Sequence, residues 1–224
     1  MYKFYVGSIS EEEALSDLAE MNVFPVGTSD IDQIGIKSNP NYCVTIYAPS
    51  VFQDRLTGDY YASAQFVWNN GSTFWKADFP DPWPEEPGIG VNIGGLDGFG
   101  LYFSRPIDRI SSSFSTLDMS GNRHDIKYPQ SYTSSGIAYV GQDVGFKSGD
   151  GSFEYTWHRG IISIYFEPQD DPVGTFSVTP SLTHTWGGTS VRVTGISQWG
   201  ISWEYVDGSD GWDAVGGTTI YRPL

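Results

Sequence analysis

The chain has 224 residues, of which 39% are hydrophobic, 17% charged and 16% aromatic, with a formal net charge of −15. Its 12 Lys and Arg are scattered singly, which excludes the cationic surface that nucleic acid requires and disfavours an anionic membrane. No apolar run reaches the roughly 18 residues needed to span a bilayer, so no membrane insertion is expected, and a cation, a neutral glycan or a basic protein surface is the easier partner.

A low charged fraction, with Ser, Thr, Asn, Gly and Tyr left to finish the surface, favours β structure with many turns over helices. The same composition predicts a secreted, bacterial-type protein. Met1-Tyr-Lys-Phe-Tyr-Val lacks the basic and long apolar parts of a signal peptide, so a signal would have been removed ahead of it. Cys43 is the single cysteine and allows no intrachain disulfide; its β-forming neighbours predict a buried, inert thiol.

Near the start, Ser10-Glu11-Glu12-Glu13 reads as an N-cap with a capping-box glutamate, and Ala14, Leu15, Leu18, Ala19 and Met21 would form one apolar face ended by Asn22 and Pro25. Residues 1–30 are therefore expected to be an N-terminal helical appendage, and 31–224 a single β domain. Strands follow from Tyr42–Tyr47 onward. In Tyr60–Trp68, Tyr60, Ala62, Ala64, Phe66 and Trp68 share one face, and Asn69-Asn70-Gly71 is a hairpin turn. The four prolines of Asp78–Pro87 force an extended surface loop. Further strands are predicted near 89–93, 99–104, 109–117, 123–128, 137–146, 152–158, 161–167, 174–179, 182–186, 189–196, 198–206 and 217–222, separated by Gly-, Asn- and Asp-rich turns. That spacing, without helical periodicity between strands, predicts an all-β fold: an antiparallel, jelly-roll-like β-sandwich.

Common catalytic signatures are missing from the sequence: there is no G-x-S-x-G, H-E-x-x-H, G-x-x-x-x-G-K or C-x-x-C. His124, His158 and His184 are isolated, so a histidine metal cage would need all three to converge. The most informative segment is Ser152–Glu167. If Arg159-Gly160 is a two-residue turn, Phe153, Tyr155, Trp157, Ile162, Ile164 and Phe166 form an apolar core face. Glu154 and Glu167 then share the opposite face with His158 and Tyr165, their Cβ atoms about 7 Å apart across paired strands. Glycosidases hold an acid and a nucleophile or base at such spacing. The architecture resembles that of jelly-roll glycoside hydrolases in geometry, and that resemblance implies a carbohydrate-active enzyme using Glu154 and Glu167. The plainer reading is a solvated sheet face.

Two other features bear on binding. Asp207, Asp210 and Asp213 stand in a Gly-rich turn that could offer oxygens to calcium, although ordinary Asp-Gly turns have the same composition. Trp83 in the proline loop and Trp212 in the acidic loop are candidates to stack on a sugar, whereas Trp199 and Trp203 read as core with Ile201 and Tyr205. The leading expectation is a secreted binding or surface-interaction protein that takes a glycan through loop aromatics and acidic turns. A glycoside hydrolase-like enzyme is the alternative, and a structural exported or virion protein the second alternative.

Overall fold

The computed structural model describes residues 9–29, 44–69, 86–147, 149–169 and 174–221. The chain is mostly strand and forms an all-β sandwich, with one short helix near the N-terminus among the described residues. One sheet, sheet A, runs from edge to edge as β1 (Val23–Pro25), β4 (Ser50–Asp54), β5 (Tyr60–Trp68), β12 (Arg159–Pro168), β7 (Ile107–Leu117) and β8 (Arg123–Ile126), with β3 (Val44–Ile46) also on β5. The opposing sheet B runs β11 (Phe153–Tyr155), β10 (Gly136–Lys147), β6 (Gly90–Phe103), β13 (Phe176–Thr185), β17 (Thr219–Tyr221) and β2 (Gly27–Ser29). β9 (Ser131–Thr133) joins β10, and β16 (Gly211–Val215) joins β13. Every one of these pairings is antiparallel.

The period-2 pattern explains where the core lies. Ala62, Ala64 and Phe66 of β5 and Ile162, Ile164 and Phe166 of β12 point between the sheets, and Phe99, Leu101 and Phe103 of β6 meet them. Phe66 packs edge-on against Phe99 with ring centres 5.0 Å apart, and Phe103 contacts Phe166 at 4.9 Å. Such ring pairs add about 0.5–1.5 kcal/mol beyond their burial, so Phe66→Ala, which breaks this centre, would cost about 3–5 kcal/mol.

Glycine sets the other face of β6. Gly98 and Gly100 alternate with the core aromatics and lie under a separate ribbon, β14 (Ser190–Ser197) and β15 (Gly200–Val206). A Cβ on Gly98 would stand 2.6 Å from the Trp203 ring, and one on Gly100 would stand 2.4 Å from Ile201. The ribbon can seat flat only because β6 offers no side chain there. Trp203 Nε1 then donates to Ser181 Oγ at 3.0 Å.

Three sequence expectations change here. The segments near 89–93 and 99–104 form one strand, as do 174–179 and 182–186. Pro180 sits inside the latter because its missing N–H falls between β17, which pairs up to Val178, and β16, which starts at Ser181, while its carbonyl accepts from the Gly216 N–H at 3.0 Å. The first thirty residues are more than an appendage, since β1 pairs with β4 and β2 with β17. The helix, α1 (Glu11–Glu20), starts as expected: Ser10 Oγ accepts from the Glu13 N–H at 3.1 Å. It stops where Asn22 takes a left-handed φ of 61°. Of its apolar face only Ala14 is buried.

Candidate functional site

The segment expected to be a hairpin is a crossover between the sheets. β11 pairs with β10 in sheet B, whereas β12 pairs with β5 and β7 in sheet A. Arg159 and Gly160 are strand residues, opposite Leu117 and Thr116, and the turn falls at Thr156–His158. Gly160 is there for packing, since a Cβ on it would lie 2.2 Å from the Phe66 ring. Glu154 and Glu167 are therefore not paired: they stand on strands of different sheets, Glu154 buried and Glu167 exposed beside Asp108. Phe153, expected in the core, is exposed, while Tyr155, Trp157, Ile162, Ile164 and Phe166 are buried as expected. The acid pair implied by the glycosidase resemblance has lost its geometric basis.

The crossover instead builds a cleft of about 380 Å³ at the end of sheet A, lined by Leu117, Asp118, Met119, Ser120, Gly121, His158 and Arg159. Asp118 opens the turn from β7 to β8. Its carboxylate accepts from the Asn122 N–H at 2.8 Å and from Asn122 Nδ2 at 3.0 Å, and His124 Nε2 lies 3.3 Å away. Ser120 Oγ donates to Glu154 Oε1 at 2.7 Å, while Glu154 Oε2 is buried without a hydrogen-bond partner. His158 Nδ1 lies 2.9 Å from the Tyr155 hydroxyl. Burial holds the His158 pKa below the ordinary imidazole value, the Arg159 charge adds to this, and Asp118 opposes it.

Behind the crossover lies a buried acid–imidazole group that sequence reasoning missed. Asp143 Oδ1 accepts from Thr156 Oγ1 at 3.1 Å and from the Trp157 N–H at 3.2 Å, fixing the two residues before His158. Burial and the neighbouring Asp97 push the Asp143 carboxyl up to about 7, against the hydrogen bonds of Thr156 and Trp157 and the charge of His184. Burial first, and then Asp143, raise the Tyr155 hydroxyl. The available signal was an isolated charge within apolar or glycine-rich strand sequence: Leu96-Asp97-Gly98, Gln142-Asp143-Val144 and Thr183-His184-Thr185.

The other sequence-selected residues are dispersed. Tyr165 is on the outer face of sheet A, where its hydroxyl donates to Asp59 Oδ2 at 2.8 Å. Trp212 is not a loop residue: it lies on β16 and is 7% exposed, with its ring 6.0 Å from Trp68 and 5.6 Å from His184. Trp83 and Cys43 lie outside the described residues. Trp199, read as core, is 84% exposed because it falls in the turn between β14 and β15.

The three aspartates have separate duties. Asp207 is at a turn position with φ 62°, the Asp210 N–H donates to Thr189 Oγ1 at 3.1 Å, and Asp213 is exposed on β16 between buried Trp212 and Ala214. Among the described residues no group of three His, Cys, Asp or Glu is placed to hold a metal ion.

No protein-family model matches this sequence, and no curated protein matches it. Among solved structures it is similar to one described as "AvmM Catalyzes Macrocyclization in Alchivemycin A Biosynthesis", at 12% identity and a TM-score of 0.26, over 86% of this chain and 95% of that chain. A likeness at that level carries nothing about the chemistry of this chain.

Proposed function

We propose that the protein is a secreted binding protein that takes a neutral glycan in the cleft at the end of sheet A. The observation that carries this reading is the mixed lining. Arg159 supplies donors, and Ser120 and His158 can do either, beside the negative charge of the buried Asp118 carboxylate, within about 380 Å³. Sugar hydroxyls are donors and acceptors at once, and a cleft with opposed charges meets them without favouring an ion. The Asp118 carboxylate, 2% exposed, is held by Asn122 and lies 3.3 Å from His124, so it contributes charge while Arg159, Ser120 and His158 make the contacts. The low-lysine, net-acidic composition supports the extracellular setting.

The test is retention on a panel of neutral glycans, comparing wild type with Arg159→Gln, which keeps the strand but removes the guanidinium. At least one glycan should bind, and the variant should bind it about tenfold more weakly, the loss of one charged hydrogen bond. Indifference of the wild type to the whole panel, or equal retention of the variant, would sink this reading.

A further inference from the structure

A second pocket lies on the outer face of sheet A, beneath α1, and is independent of the cleft. It is lined by Leu18 of α1, Val23 of β1, Asp54 of β4, Tyr61 of β5 and Tyr165 of β12. Tyr61 and Tyr165 are direct partners across β5 and β12, and both point away from the core because Ala62 and Ile164 beside them point into it. Their hydroxyls are already engaged. Tyr61 donates to Ser163 Oγ at 2.7 Å, and Tyr165 donates to Asp59 at 2.8 Å and lies 3.0 Å from Thr57 Oγ1. The rings are thus the main contribution of the tyrosines, and most of the wall is carbon.

We propose that this pocket binds a quaternary ammonium group, of the kind carried by choline.

Three features point to that chemistry. First, two tyrosine rings and two aliphatic side chains surround the space, and ring faces attract a cation through their quadrupole. Second, Asp54 lines the pocket and Asp59 sits on the Tyr165 hydroxyl; among the described residues neither carboxylate is in an ion pair. The neighbouring Arg55 does not neutralise them, because its guanidinium lies over the Phe24 ring at 4.2 Å. Third, the volume is about 170 Å³, close to the roughly 150 Å³ of an engineered cavity that takes benzene, so there is room for about five or six heavy atoms. A trimethylammonium group with its first methylene has that size.

Other ligands fit less well. A neutral apolar group would leave the carboxylates uncompensated. A metal ion would meet one carboxylate and a carbon wall, where it wants six or more oxygens. A primary ammonium needs three acceptors for its three N–H groups, whereas a quaternary one has no N–H to satisfy. Burial first, with the charges of Asp59 and Asp54 adding to it, raises the Tyr165 hydroxyl, in keeping with a negative local field.

The experiment titrates the full chain with choline, with its neutral carbon isostere 3,3-dimethyl-1-butanol, with n-butylammonium and with phosphocholine, read by ligand-detected NMR. Choline should bind with a Kd on the order of 1 mM, and the isostere at least about tenfold more weakly. Phosphocholine should bind more weakly than choline, since its phosphate meets Asp54 and Asp59; tighter binding would assign the group to a lipid headgroup source and still support the quaternary site. Tyr165→Leu should weaken choline about fivefold, and Asp54→Asn, which keeps the pocket volume, should do the same in a chain of unchanged melting temperature. Equal binding of the isostere, tighter binding of n-butylammonium, no choline binding at about 50 mM, or unchanged affinity in both variants would overturn the proposal. None of these results depends on whether a glycan occupies the end cleft.

Discussion

His184 Nδ1 donates to Asp97 Oδ2 at 2.9 Å between the two sheets, where both side chains are almost wholly buried. The second oxygen of Asp97 accepts from the Thr185 N–H at 2.8 Å, and the imidazole ring lies 4.9 Å from Trp68. A polar pair in such a place is stabilising only while both partners are present, because removing one leaves the buried charge of the other less compensated. Asp97→Ala should therefore destabilise the fold by about 3–5 kcal/mol. Asp97→Ala combined with His184→Leu should cost less than the two single changes together, since the double variant removes both halves of the pair and leaves only the Thr185 N–H without this acceptor. Urea unfolding of the four proteins measures this; additive costs would mean that the two side chains are energetically independent.

Asp143 gives the molecule a pH dependence of definite sign. Its carboxyl has an ordinary value of 3.8 and is pushed up to about 7 in the fold, so the folded chain holds its proton more tightly than the unfolded chain does. That contribution is fully present below the unfolded value and is lost as pH rises through about 7. Asp97, His184 and Tyr155 are the titratable groups coupled to it. Asp143→Asn keeps an oxygen for Thr156 and Trp157 without titrating. The stability of wild type relative to this variant should fall by a few kcal/mol between about pH 4 and pH 7 and then level off. A constant difference across that range would show that Asp143 does not titrate there.

The glycines of β6 make a prediction about the ribbon alone. An alanine at Gly98 would press on Trp203 and the Thr183 methyl, both side chains, so the β14–β15 ribbon should lift while the Phe66–Phe99 core stays closed. The cost of such overpacking is about 1–3 kcal/mol. Tryptophan emission should shift to the red as Trp203 gains water. An unshifted spectrum with unchanged stability would mean that the ribbon is not seated on Gly98.

How legible these features were depended on whether local chemistry decided them. The Ser10 cap, the alternation of Tyr60–Trp68 and the inward Ile162, Ile164 and Phe166 follow from short-range rules and appear as expected. Arg159-Gly160 shows the limit. A glycine beside a polar residue signals a turn, but this one is required by the Phe66 ring, a neighbour distant in sequence. Moving the turn to Thr156–His158 sends Glu154 and Glu167 to different sheets and brings Glu154 to Ser120 and His158 to the cleft. The cleft was therefore unreadable without the tertiary contacts, although two of its neighbours, Glu154 and His158, were singled out for another reason. Tyr165 was picked for the glutamate face, and it lines the pocket under α1 instead.

Two tryptophans exchange the roles that the sequence gave them, and their replacement separates fold from surface. Trp212 was the candidate for stacking on a ligand, yet its strand alternation turns it inward against Trp68 and His184. Its indole N–H is buried without a hydrogen-bond partner, so its contribution is packing alone. Removing a ring of this size from the interior leaves a cavity that the rigid sheets cannot close, and Trp212→Ala should cost about 3–5 kcal/mol. The same change should disturb Asp97 and His184, because His184 loses one wall. Trp199 was the candidate for the core, yet it stands in the ribbon turn with 84% of its surface in water. It has little burial to lose, and Trp199→Ala should change stability by less than about 0.5 kcal/mol. Its turn is not part of the end cleft, so the same variant should keep its glycan retention. Chemical denaturation and glycan retention measured on both variants give four results. The expected pattern is a large stability loss for Trp212→Ala and neither a stability loss nor a retention loss for Trp199→Ala. A stable Trp212→Ala protein would overturn the packing assignment of that ring, and lost retention by Trp199→Ala would contradict glycan binding in the cleft of Ser120, His158 and Arg159.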